Sequence, residues 1–100
     1  MDTLQQLQTW YHSQCDGKWE HGRGLTIGTL DNPGWSVEID LTDTELADRP
    51  FADVIQNLEH DTDWIHCRVR DRKFEGHGGP YKLDEILQIF LAWATQKQVA

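Results

Sequence analysis

A change of hydrophobic period, from three-and-four to two and back again, is what most constrains the fold open to this chain. Leu25, Ile27 and Thr29 alternate, Asp31-Asn32-Pro33-Gly34 supplies turn chemistry, and Trp35, Val37, Ile39 and Leu41 alternate again, with Ser36, Glu38 and Asp40 pointing the other way. Two such runs joined by turn-forming residues predict a β-hairpin with one apolar and one polar face. On the N-terminal side, Leu4, Leu7, Trp10, Tyr11 and Cys15 recur at spacings of three and four. They predict a helix from Asp2 to Cys15, stopped by Asp16-Gly17 because glycine tolerates the left-handed backbone common just past a helix. On the C-terminal side, Leu83, Ile86, Leu87, Phe90, Trp93 and Ala94 predict a second helix to about Gln96, with Asp84 and Glu85 in its first turn and Lys97 near its end, as the helix dipole prefers.

Between the hairpin and the last helix the pattern is weaker. Thr42 to Pro50 is polar and reads as a loop. In Ala52 to His60, Val54, Ile55 and Leu58 fit a helical turn, while Val54-Gln56-Leu58 fits a strand. The strand is preferred because Asp61-Thr62-Asp63 then makes a turn into Trp64-Ile65-His66-Cys67-Arg68-Val69-Arg70. In that strand Ile65, Cys67 and Val69 share one side; Trp64, His66, Arg68 and Arg70 share the other. A short strand at Lys73 to Glu75 follows, and Gly76-His77-Gly78-Gly79-Pro80 reads as a tight connection that reverses the chain. Helix, four or five strands, helix predicts an α+β fold, with an antiparallel sheet covered by helices on one face. One hundred residues suffice for one core, so residues 1–100 are expected to be a single domain.

Composition narrows the class. With 38% hydrophobic and 26% charged residues the chain is ordinary globular protein, and five Trp enlarge its core. No apolar run approaches the roughly 18–20 residues that cross a bilayer, and the start, MDTLQQLQ, is unlike a secretory signal. The expected location is therefore cytoplasmic, where Cys15 and Cys67 stay free thiols. The formal net charge is −8, and the whole of it falls between Glu38 and Asp63, where nine carboxylates face only Arg49. Such a field opposes nucleic acid and anionic membrane, and speeds encounter with a basic protein partner.

Four clusters invite a chemical reading. In His12-Ser13-Gln14-Cys15-Asp16-Gly17-Lys18-Trp19-Glu20-His21 a thiol lies near two imidazoles, which would suit a small thiol enzyme using Cys15 with His12 or His21. The predicted position is the negative end of a helix, beside Asp16, and both disfavour a thiolate. A packed side chain is the better expectation, with no catalytic residue. His12, Cys15 and His21 lack the paired short spacings of a zinc site, so no metal or other cofactor is expected. Gly76 to Pro80 ahead of a helix resembles a phosphate loop only loosely, because no Gly-Lys-Ser/Thr ending is present and Asp84-Glu85 would repel phosphate. Arg68, Arg70, Arg72 and Lys73 form the one basic cluster; pairing across strands with Glu38 and Asp40 is preferred to nucleic-acid binding.

Several stretches, taken in order, carry a family likeness. They are Trp10-Tyr11, Cys15-Asp16-Gly17, Trp19-Glu20-His21, Leu30-Asp31-Asn32-Pro33-Gly34-Trp35-Ser36-Val37, Asp63-Trp64-Ile65-His66-Cys67, Phe74-Glu75-Gly76, Gly78-Gly79-Pro80 and Leu83-Asp84-Glu85-Ile86-Leu87. Together they resemble the immunity protein 53 family of bacterial polymorphic toxin systems. The resemblance implies a non-enzymatic inhibitor that binds and neutralises a cognate toxin. Toxins of such systems are often nucleases with basic substrate surfaces, which an acidic inhibitor can occupy. It supplies no contact residues. From charge, the expected partner-binding set is Glu38, Asp40, Asp43, Glu45, Asp48, Asp61 and Asp63, with Trp64 as an aromatic anchor. Some similar sequences carry a sulfurtransferase label. A rhodanese-like enzyme needs its cysteine in a loop of backbone amides after a parallel strand, a setting that neither Cys15 nor Cys67 is predicted to have.

Overall fold

The computed structural model describes residues 1–96, so Lys97 lies outside the described residues. Helix α1 (Thr3–Gln14) opens on a capping box: Asp2 accepts the Gln5 N–H at 2.8 Å, and the Gln5 side chain accepts the Asp2 N–H at 3.1 Å. Two of the N–H groups that a helix start leaves unpaired are thereby satisfied, worth about 1 kcal/mol. The helix stops at Cys15, and Gly17, with φ 93°, turns the chain. Only Leu7 and Trp10 of its expected apolar face are buried; Leu4 and Tyr11 stay 59% and 39% exposed.

A second helical turn, α2 (Trp19–Gly22), was not foreseen from the pattern. Asp16 makes it, because its carboxylate accepts the N–H groups of Lys18 and Trp19 at 2.9 Å, while Glu20 reaches back to the N–H groups of Asp16 and Gly17. These bonds favour the ionised carboxylates, and both groups are held below their ordinary range, Asp16 chiefly by the Trp19 N–H and Glu20 chiefly by its own. The turn delivers Trp19 to the core, where its indole N–H donates to the Thr42 carbonyl at 2.9 Å.

Five strands follow: β1 (Leu25–Leu30), β2 (Gly34–Asp40), β3 (Val54–Gln56), β4 (Ile65–Arg70) and β5 (Lys73–Gly78). They form one antiparallel sheet in the order β1-β2-β5-β4-β3. The hairpin is as expected, except that Gly34 already belongs to β2. The strand expected near Ala52–His60 is real but three residues long. The larger departure is β5. Expected to end at Glu75, it runs to Gly78 and occupies the centre of the sheet. Gly76 and Gly78 sit where helix α3 (Leu83–Ala94) presses closest: a Cβ on Gly76 would lie 2.5 Å from Ile86 Cγ2, and one on Gly78 2.9 Å from Lys82 Cβ. The glycines serve close packing in a strand, not a reversal. The turn comes after them, at Pro80-Tyr81, where the Lys82 N–H donates to the Gly79 carbonyl at 3.0 Å.

Register fixes the two faces, since directly paired residues point the same way. Leu25, Trp35, Val37, Ile39, Phe74, Ile65, Cys67 and Val54 lie toward the helices. Helix α3 covers β2 and β5, and α1 packs on α3. Trp10 meets Phe90 edge-on with centroids 4.9 Å apart, and Trp19 meets Trp10 at 6.1 Å. The segment 41–53 crosses from β2 to β3 along the end of the sheet where α3 finishes. It closes the core with buried Leu41 and Leu46, and with Phe51 against Phe74 and Trp93. The predicted α+β fold, with helices on one side of an antiparallel sheet, is what the structure has.

Candidate partner-binding surface

The sheet face away from the helices is uncovered and polar: Ser36, Glu38 and Asp40 on β2, Lys73, Glu75 and His77 on β5, His66, Arg68 and Arg70 on β4. It is a lattice of alternating charge. Lys73 pairs with Glu38 at 3.2 Å, Arg68 with Glu75 at 2.8 Å, Arg70 with Glu75 at 4.0 Å, and Arg23 with Asp40 at 3.4 Å. The expected cross-strand pairing therefore exists, but Arg68 and Arg70 use Glu75 instead of Glu38 and Asp40. Burial, the largest single influence on Asp40, pushes its carboxyl up; the Thr42 N–H at 2.9 Å and the Arg23 charge outweigh it and leave the group below its ordinary value. Burial likewise pushes His77 below the usual imidazole range.

The other expected contact residues separate into two groups. Asp43, Glu45 and Asp48 are exposed on the 41–53 segment, with Asp43 in the left-handed region at φ 63° and Glu45 accepting from Gln14 at 3.4 Å. Asp61, Asp63 and Trp64 precede β4 and so lie at the opposite end of the sheet, a strand length of about 20 Å away. Asp63 pairs with Lys82, which also holds Glu85 at 3.2 Å. The hydrogen bond from Lys82 holds the Asp63 carboxyl below its ordinary range, and the same bond raises Lys82. Trp64 is half-buried, and its carbonyl accepts the Gly79 N–H at 3.1 Å, which extends the ladder.

Of the expected set, then, Glu38, Asp40 and Asp63 have cationic partners within the chain. Among the described residues, none of the ion pairs involves Asp43, Glu45, Asp48 or Asp61. Arg49, the only cation of the acidic segment, turns inward: its guanidinium donates to the carbonyls of Trp93 at 3.0 Å, Ala94 at 3.4 Å and Gln96 at 3.5 Å. Its charge answers the negative end of α3 and is not paired with Asp43, Glu45 or Asp48, which have no cationic partner among the described residues. The sequence carried no sign of this, because Arg49 and the α3 terminus are more than forty residues apart.

The thiols take structural positions. Cys15 Sγ donates to the Tyr11 carbonyl at 3.4 Å. Cys67 is wholly buried on β4, and burial pushes its thiol up to about 12. Among the described residues, no group of three or more His, Cys, Asp or Glu is arranged to hold a metal ion. Nor, among them, is any helix long and apolar enough to cross a membrane.

The structure defines the chain as a small α+β protein with a charged open sheet face and an acidic connecting segment. Comparison with protein families is more specific. The family model described as Immunity protein 53 matches residues 4–95, and the chain belongs to that family. No curated protein and no solved structure matches it.

Proposed function

We propose that this protein binds a cognate toxin of a bacterial polymorphic toxin system and neutralises it by occupying it, without catalysis, in the cytoplasm of the producing cell. Membership of the immunity protein 53 family supports the role. The observation that supports the manner of binding is that Asp43, Glu45 and Asp48 are exposed with no cationic partner among the described residues, while Arg49 is engaged by the α3 carbonyls. Carboxylates with no cationic partner among the described residues keep their charge for an incoming cation, whereas Glu38, Asp40 and Asp63 must share theirs. The primary contact is therefore the end of the molecule that bears Asp43, Glu45 and Asp48. Asp61, Asp63 and Trp64, at the other end, contribute where the toxin extends along the open sheet face. A basic, nucleic-acid-binding surface on the toxin is the complement this field fits best.

A thiol enzyme fits less well: Cys67 is buried and strongly protonated, and Cys15 is tied to its own helix. Co-expression with the toxin domain encoded beside this chain tests the proposal. Rescue of growth and recovery of a stable complex are expected; failure of both overturns it.

A further inference from the structure

We infer that the free edge of β1 is an interface for a second copy of this chain, forming a symmetric antiparallel pair centred on Ile27. The two sheet edges differ. Strand β3 is only three residues long and starts directly after Asp53; shortness and a charge at the edge are ordinary guards against edge pairing. Strand β1, Leu25-Thr26-Ile27-Gly28-Thr29-Leu30, is six residues long and has neither charge nor proline.

Backbone direction shows which groups are free. Asp40 donates to the Gly24 carbonyl at 2.9 Å, so in the β1–β2 register the hydrogen-bonded pairs are Thr26 with Glu38, Gly28 with Ser36 and Leu30 with Gly34. The N–H and C=O groups of Leu25, Ile27 and Thr29 therefore point outward along the edge. Apolar surface accompanies them. Ile27 is 36% exposed, and a groove beside the strand is lined by Leu7, Gln8, Tyr11, Arg23, Gly24 and Leu25.

A two-fold axis through Ile27 pairs Ile27 with its own copy and Leu25 with Thr29 of the other chain, so all the outward groups of these residues are used. The same register sets Arg23, just before the strand and paired in its own chain with Asp40 at 3.4 Å, opposite Asp31, just after it, so that Arg23 bridges Asp40 and the second copy's Asp31, and symmetry makes this contact twice. An uncharged strand with opposite charges at its two ends is self-complementary when antiparallel. That complementarity argues for a second copy in preference to a toxin strand. A strand pair lies at the small end of interfaces, below about 1,200 Å², the range of weak and transient complexes, so a reversible dimer is expected.

Sedimentation equilibrium on the full chain over a concentration series is the test. Reversible dimerisation is expected, weakened at least tenfold by Ile27→Lys, which sets two like charges face to face, and weakened also by Asp31→Arg. Circular dichroism confirms that each variant is folded. Should Ile27→Lys not fold, Ile27→Cys in a Cys15→Ser background reads the same geometry. Hydrogen-bonded partners lie about 5.5 Å apart at Cα, within disulfide reach, so oxidation gives a covalent dimer, whereas Gly28→Cys does not. A monomeric wild type at every concentration, a dimer indifferent to both substitutions, or β1 amides protected only when toxin is added would each overturn the inference.

Discussion

Two hydrogen atoms in place of methyl groups, at Gly76 and Gly78, set how near α3 comes to the sheet. A Cβ at Gly76 would meet Ile86 and Phe74, both wholly buried, at 2.5 and 3.1 Å, so neither neighbour can yield easily. Gly76→Ala is expected to cost about 1–3 kcal/mol by overpacking. Gly28→Ala, with nothing within 4 Å, is expected to be neutral or to stabilise by up to about 1 kcal/mol. Urea denaturation of the two variants checks the contrast. Cys67 makes a prediction in pH. Burial raises its folded value to about 12, so its contribution to stability is fully present below the unfolded value, near 8.5, and is lost as pH rises through the folded one. Unfolding free energy should therefore fall across the alkaline range, and Cys67→Ala should fall less steeply over the same interval.

At the scale of elements, the strongest periodicities were legible. Both long helices, the hairpin and β4 are where the spacing places them, because each buries one face and the pattern records that face. Strand β5 was only half legible. Its alternation continues as Phe74, Gly76, Gly78 against Glu75, His77, but the core-facing positions carry no side chain, so hydropathy lost the signal where the helix came closest. A period-two run of small residues was the available clue. Helix α2 was hidden because Asp16 and Glu20 make it through hydrogen bonds, not through apolar spacing. Long-range caps are equally invisible, and Arg49 on the α3 terminus is the clearest. Arg49→Ala is expected to cost about 1–2 kcal/mol and to speed amide exchange in the last turn of α3, with little change in β1 and β2. Exchange slowed or unchanged in that turn would show that the cap has no weight.

For the whole molecule, the acidic character of Glu38 to Asp63 was plain from the sequence, but its arrangement was not. The β2–β5 register sets Glu38 opposite Glu75 and diagonal to Lys73, with which it pairs, the α2–β1 connection brings Arg23 to Asp40, and the sheet holds Asp43, Glu45 and Asp48 a strand length from Asp61 and Asp63. One continuous acidic patch thus resolves into a neutralised sheet face and separate charged ends. In the proposed function, the end bearing Asp43, Glu45 and Asp48 draws in a basic toxin. The most direct test is the association rate with that toxin against salt concentration, for wild type and for Asp43→Lys/Glu45→Lys/Asp48→Lys. Steering predicts a wild-type rate that falls steeply with salt, and a variant at least tenfold slower at low salt with a flattened dependence. Equal rates and equal salt slopes for the two proteins would contradict the account.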